Sequence, residues 1–212
     1  MGKINQGILG GISGTVGPVI GGSWKGQNYL RSKPTSVANP NTVGQQEQRT
    51  KFTSAVYWAQ QLLGAIIQPF WNKMVSAMSG YNWFMSVNTG NFDSSGNPIY
   101  GSIEMCKGTL ERVNGVNIVS DQSLGRHTVT WVDNSGTGNA LGADKVTIVI
   151  YNESQGYFKT YVQVADRSNA SYAATDTDII AANVIHAYVF LNRTGNEALA
   201  SMSFYQSTTA IP

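Results

Sequence analysis

The sequence predicts a mostly β chain of the α+β type: an extended glycine-rich N-terminal arm, a helical hairpin or kinked helix, and an antiparallel β-sandwich. Three observations predict it. Nine of the 23 glycines fall within the first 26 residues. A single apolar stripe at three- and four-residue steps follows between Phe52 and Ile67. Beyond residue 100, short runs of β-branched and aromatic residues alternate with turn signals. The expected segments are 1–38 for the arm, 39–99 for the helical part with an aromatic loop, and 100–212 for the sandwich.

The arm interleaves glycine with Ile4, Ile8, Leu9, Ile12, Val16, Val19 and Ile20. Each glycine loses much backbone entropy on ordering and adds no side chain to pack, so the segment should not build a core by itself. It is too apolar for a flexible linker of the Gly/Ser kind. An extended segment that orders on a partner surface satisfies both facts, and edge strands on its own body are the alternative. Ile8, Leu9, Trp24, Lys25, Tyr29, Arg31 and Lys33 are the candidate assembly contacts.

Asn39-Pro40 and Thr42 give start signals for a helix, with Thr42 and Gln45 at capping-box spacing. Phe52, Ala55, Val56, Ala59, Leu62, Leu63, Ile66 and Ile67 form its apolar stripe, opposite Gln45, Gln48, Arg49, Gln60 and Gln61. Pro69 should kink this helix or open a second one, because it donates no backbone hydrogen bond. Met74, Val75 and Met78 continue the face to Gly80, which reads as a C-cap. Tyr81 to Phe84 and Phe92 to Pro98 read as a loop whose aromatics plug the junction of helix and sheet; a sugar platform is the other use of such residues.

The clearest strands are 128–132, 145–151, 157–164, 185–191 and 198–205, separated by turns such as Asp133-Asn134-Ser135-Gly136 and Glu153-Ser154-Gln155-Gly156. Trp131 stands where immunoglobulin-like and fibronectin-type-III-like sandwiches keep a core tryptophan. The chain has one cysteine, Cys106, so it can hold no intrachain disulfide, and the fibronectin-like form fits better.

Hydrophobic residues make up 42% of the chain, enough for a core, whereas charged residues make up 12%, about half the usual ~25%. A surface with few ions to desolvate favours contact with other protein surfaces. Four basic residues, Lys3, Lys25, Arg31 and Lys33, precede the first acidic one, Glu47. They read first as solvated side chains, with a weak contact to nucleic acid or another acidic surface as the alternative. No stretch has the ~18 apolar residues of a membrane span. The opening Met1-Gly2-Lys3-Ile4-Asn5-Gln6 runs into glycine-broken sequence and does not read as a signal peptide.

The search for chemistry yields no catalytic, cofactor-binding or metal-binding residue. His186 falls in an expected strand and His127 at the start of one, neither with a ligand at metal spacing, and Cys106 reads as a small buried residue. Gly17 to Lys25 lacks the Gly-Lys-Ser/Thr of a phosphate loop, and no nucleophile elbow occurs. Asp176 and Asp178 read as a loop turn. The expectation is a protein that is not an enzyme and needs no cofactor.

Three blocks carry a specific resemblance: Gly2-Lys3-Ile4-Asn5-Gln6-Gly7-Ile8-Leu9-Gly10-Gly11, then Gly21-Gly22-Ser23-Trp24-Lys25-Gly26, then Tyr29-Leu30-Arg31-Ser32-Lys33-Pro34. Together with Asn39-Pro40-Asn41-Thr42 and Gln45, Arg49 and Phe52, the chain resembles an uncharacterised family from Bacteroidota and their phages. The resemblance implies a compatible fold and no established activity. It leads to the expectation of a phage virion structural protein, whether capsid-associated, connector or tail component. Such a protein would be assembled in the host cytoplasm as a homo-oligomer and with other virion proteins. The alternative is a carbohydrate- or surface-binding module using Trp24, Tyr81, Trp83 and Phe84.

Overall fold

The computed structural model describes residues 3–4, 12–37 and 39–212. It divides into two compact units, Met1–Thr42 and Val43–Pro212.

The first unit is a β-meander. Strands β1 (Lys3–Ile4), β2 (Ile12–Val16), β3 (Val19–Trp24) and β4 (Gln27–Ser32) form one antiparallel sheet in that order. Over residues 12–32 the leading segment is a ribbon of two hairpins. Its two described turns explain why. Gly17 at φ +55° followed by Pro18 has the positive-then-negative pattern of a type II′ turn. Lys25 and Gly26, at φ +49° and +79°, have the two positive values of a type I′ turn. Both match the twist of the strands they join, so the chain doubles back within two residues.

The second unit stacks three layers. Helix α1 (Val43–Leu62) continues through a π-helical stretch, Leu63–Trp71, into a last short turn, α2 (Asn72–Met74). Pro69 lies inside the π stretch, so the helix carries on past the proline instead of restarting after it. The Asn72 N–H reaches back five residues to the Ile67 carbonyl. The buried positions of this stretch are Ile66, Ile67, Phe70 and Trp71. Phe52, expected in the apolar stripe, is instead 52% exposed; the buried face starts at Ala55.

Gly80 opens α3 (Gly80–Asn88) and does not cap the preceding helix; Tyr81 to Phe84 are helical and not a loop. Ser79 is the N-cap, its side chain accepting from the Asn82 N–H at 3.2 Å. Glycine is needed at position 80 because a Cβ there would stand 2.4 Å from the Asn72 nitrogen.

The sheets follow. β5 (Asn114–Asp121), β6 (Arg126–Val132) and β9 (Ser171–Thr175) make a three-stranded sheet. β7 (Lys145–Asn152), β8 (Tyr157–Asp166), β10 (Val184–Arg193), β11 (Asn196–Ala200) and β12 (Phe204–Thr209) make a five-stranded one. β5 and β9 are absent from the expected strands, and the single strand expected over 198–205 is two, both paired with β10.

Alternate residues of the small sheet, among them Val116, Ile118, Val129 and Trp131, share a core with Val146, Ile148, Ile150, Ala187, Val189 and Leu191 of the large one. The other face of the large sheet carries Val149, Tyr188 and Phe190 into a second core with Trp58, Leu62, Ile66, Phe70, Trp71 and Phe84. The central strand β10 is thus covered on both sides, which accounts for its unbroken buried run from Ile185 to Asn192. The chain is mostly β, and the two sheets of the second unit form a sandwich with the helices as a third layer.

Candidate functional site

Five of the seven arm residues singled out by the sequence are described; Ile8 and Leu9 lie outside the described residues. Register partners on antiparallel strands point to the same face. The pairs Trp24↔Gln27, Gly22↔Tyr29 and Ile20↔Arg31 therefore put Trp24, Tyr29 and Arg31 on one face. Lys25 joins them at the turn, its Nζ 5.8 Å from the centre of the Trp24 ring. Tyr29 lies across Gly22, where an added Cβ would meet its hydroxyl at 2.8 Å.

The opposite face carries Val16, Val19 and Leu30. Every residue of β4 is exposed, and Trp24, Leu30, Tyr29 and Val16 keep 70, 60, 49 and 48% of their surface in contact with solvent. Exposed apolar side chains grouped on one element mark an interaction surface more often than scattered single ones do. Lys3, Lys25, Arg31 and Lys33 give this unit only positive charge, with no carboxylate side chain before Glu47.

The second unit contains side-chain networks that the sequence did not show. Ser120 and His127 are register partners on β5 and β6. The Ser120 hydroxyl lies 2.8 Å from His127 Nδ1, and His127 Nε2 lies 3.1 Å from Asp176 Oδ2. The carboxylate requires a donor, so Nε2 carries the proton and Nδ1 accepts from Ser120. Tyr157 also donates to Asp176 Oδ2, at 2.7 Å, and Lys159 bridges Asp176 and Asp178.

Serine, histidine and aspartate in line suggest nucleophilic catalysis. Here the ring is reversed, with aspartate on Nε2. Ser120, His127 and Asp176 are 0, 0 and 1% exposed, so no substrate reaches the serine. The network ties β5, β6 and the loop after β9 together. The nearby groove of about 910 Å³, lined by Gln122, Gln155, Tyr157, Phe158, Lys159 and Asp178, is bordered by an ion pair that leaves its wall without net charge.

His186 is held likewise. It stacks on Tyr100 at 3.6 Å between ring centres, with Tyr205 at Nδ1 and Glu153 at Nε2, each 2.9 Å away. Burial lowers the pKa of both histidines, against the opposing pull of Asp176 on His127 and of Glu153 on His186. Each binds its proton less readily in the fold than in the unfolded chain, where the value is 6.5. Their contribution to stability is therefore present above about pH 6.5 and is lost as the pH falls below it. Thermal melts between pH 7 and pH 5 should show the midpoint falling with acid. In His127→Gln the slope should be shallower, and an unchanged slope would show that this residue is not responsible.

Of the four aromatics considered for a sugar platform, Phe84 is buried and Tyr81 and Trp83 pack against the helical core, where Trp83 meets Trp71 edge-on at 4.8 Å. Trp24 alone remains exposed. Cys106 is buried, which pushes its thiol up to about 12. Among the described residues, no group of three or more His, Cys, Asp or Glu side chains could hold a metal ion, and no helix is long and apolar enough to cross a membrane.

A family model for DUF6266, described as a family of unknown function, matches residues 11–199. The chain belongs to DUF6266. No curated protein matches this DUF6266 chain. Among solved structures it is similar to a family 76 glycoside hydrolase from a bovine Bacteroides thetaiotaomicron strain, at 14% identity over 48% of this chain and TM-score 0.37. The aligned part is 21% of that enzyme's length. It is also similar to the fn3 domain of human collagen alpha-1(XX) chain, at 13% identity, 49% of this chain, 88% of that domain and TM-score 0.37. An Fn3-like protein from Clostridium thermocellum follows at 16% identity, 49% of this chain, 94% of that protein and TM-score 0.32.

Proposed function

We propose that this DUF6266 member is a non-enzymatic assembly protein that joins copies of itself, and other proteins of the same particle, through its N-terminal ribbon. The particle is a phage virion, in which the chain serves as a capsid-associated, connector or tail component. The observation carrying this reading is β4: six exposed residues on an edge strand, flanked by an exposed tryptophan.

A small meander with this much apolar surface in water is marginal by itself, since strands need a covered face for stability. Burying one side chain the size of Leu30 or Val16 contributes roughly 1.5–3 kcal/mol, so covering the ribbon on a neighbour stabilises both the ribbon and the assembly. The phage assignment rests on the sequence blocks of residues 2–11, 21–26 and 29–34.

Deletion of residues 1–34 leaves the body, Val43–Pro212, with both of its cores. Light scattering should find full-length protein in multimers and the truncated chain as a monomer. If both are monodisperse monomers at every concentration and salt tested, the assembly reading is wrong.

A further inference from the structure

We propose that the outer edge of β4 pairs antiparallel with β4 of a second copy of this chain, Leu30 lying on the two-fold axis. The inference rests on the assembly reading and names its partner. Among the described residues β4 pairs with β3 alone and stands at the end of its sheet.

The tight turn at Lys25-Gly26 fixes which backbone groups face outward. A two-residue hairpin closes on a hydrogen-bonded pair, here Trp24↔Gln27. Hydrogen-bonded and non-bonded pairs then alternate along the ladder. The Lys33 N–H, donating to the Pro18 carbonyl at 2.7 Å, has the phase this alternation requires. Tyr29 and Arg31 therefore spend their backbone groups on β3, while Asn28, Leu30 and Ser32 turn theirs to the free edge.

Two-fold pairing must place same-face residues opposite one another, and registers centred on Tyr29, Leu30 or Arg31 bring the outward groups together; the last sets Arg31 against Arg31 of the second copy, two like charges directly opposite. A register centred on Tyr29 sets Lys25 opposite Lys33 of the second copy, and like charges directly opposite are destabilising. The register centred on Leu30 avoids this. It sets Leu30 against Leu30 on the aliphatic face and Asn28 against Ser32. On the other face Tyr29 meets Arg31 twice, an aromatic ring against a guanidinium each time, and Gln27 meets Lys33. No two cations oppose each other. Each of the three outward pairs exchanges both N–H···O=C bonds. The surface is self-complementary, as an isologous contact demands.

A thiol placed on the axis tests this in full-length protein. Opposed Cα atoms in a hydrogen-bonded pair stand about 5.5 Å apart, within the range a disulfide spans. Cys106 is buried and its thiol is held protonated, so an introduced thiol reacts without competition. Leu30 is 60% exposed, so Leu30→Cys leaves the fold intact.

Under mild oxidation Leu30→Cys should form a reducible covalent dimer at least tenfold faster than Asn28→Cys, whose opposite residue is Ser32. Equal rates at the two positions would indicate random collision and overturn the pairing. No cross-link in Leu30→Cys, while light scattering still finds the wild-type protein multimeric, would overturn the β4 contact and leave the assembly reading standing. A wild-type protein that is monomeric throughout would overturn both.

Discussion

Asp144→Ala should lower the melting midpoint by about 6–20 °C, because breaking a buried ion pair from one side destabilises by roughly 3–5 kcal/mol and a chain of this size moves about 2–4 °C per kcal/mol. Asp144 is 0% exposed and serves two arginines. Its Oδ2 lies 3.1 Å from a terminal nitrogen of Arg167 and accepts from the Leu141 N–H at 2.8 Å; its Oδ1 lies 2.6 Å from Arg193 Nε. Arg167 is itself fully buried, donating also to Asn134 and to the Glu111 carbonyl, while its own carbonyl accepts from Trp131.

Removing the carboxylate leaves a guanidinium in the interior with no counter-charge, and its remaining partners are neutral. A matched control is Asp166→Ala, which breaks the half-exposed pair with Lys145 at 2.6 Å. Such pairs contribute about 0–1 kcal/mol. Midpoints for the two variants within 2 °C of each other would show that the Asp144 cluster is not holding the loops at this end of the sandwich.

How much of this was readable beforehand depended on side-chain size and sequence distance. The strands around Trp131, Ile148, Tyr161 and Val189 were legible because large β-branched and aromatic residues recur along them. β5 was not, since its inward positions are Val116, Ile118 and the small polar Ser120, and β9 offers only Ser171-Tyr172-Ala173-Ala174-Thr175. α3 was hidden because Gly80 reads as the end of a helix, whereas close packing on Asn72 is what requires it there.

Trp24, Lys25, Tyr29, Arg31 and Lys33, expected to be assembly contacts, are exposed side chains in the structure. Their common face, however, depends on the register set by the turn between them. The His127–Asp176 contact could not be seen at all: 49 residues separate the two, and only the pairing of β5, β6 and β9 brings them together.

The second large effect is expected at Trp71, where the helical layer meets the segment before the sandwich. The residue is fully buried at the end of the π-helical stretch, stacks edge-on against Trp83 and Phe84 at 4.8 and 5.3 Å, and donates from Nε1 to the Met105 carbonyl at 2.8 Å. Trp71→Ala removes the ring from a filled core, about 3–5 kcal/mol for such a truncation. It also leaves a buried carbonyl without this donor, about 1–3 kcal/mol more.

Trp71→Phe separates the two contributions, keeping much of the ring while removing the donor. Urea denaturation should rank the proteins wild type, Trp71→Phe, Trp71→Ala, with the first gap reporting the lost hydrogen bond and some packing. Trp71 shares the inner face of this stretch with Ile66, Ile67 and Phe70, all fully buried. If Trp71→Ala loses less than 1 kcal/mol, the helical layer is not anchored through this residue.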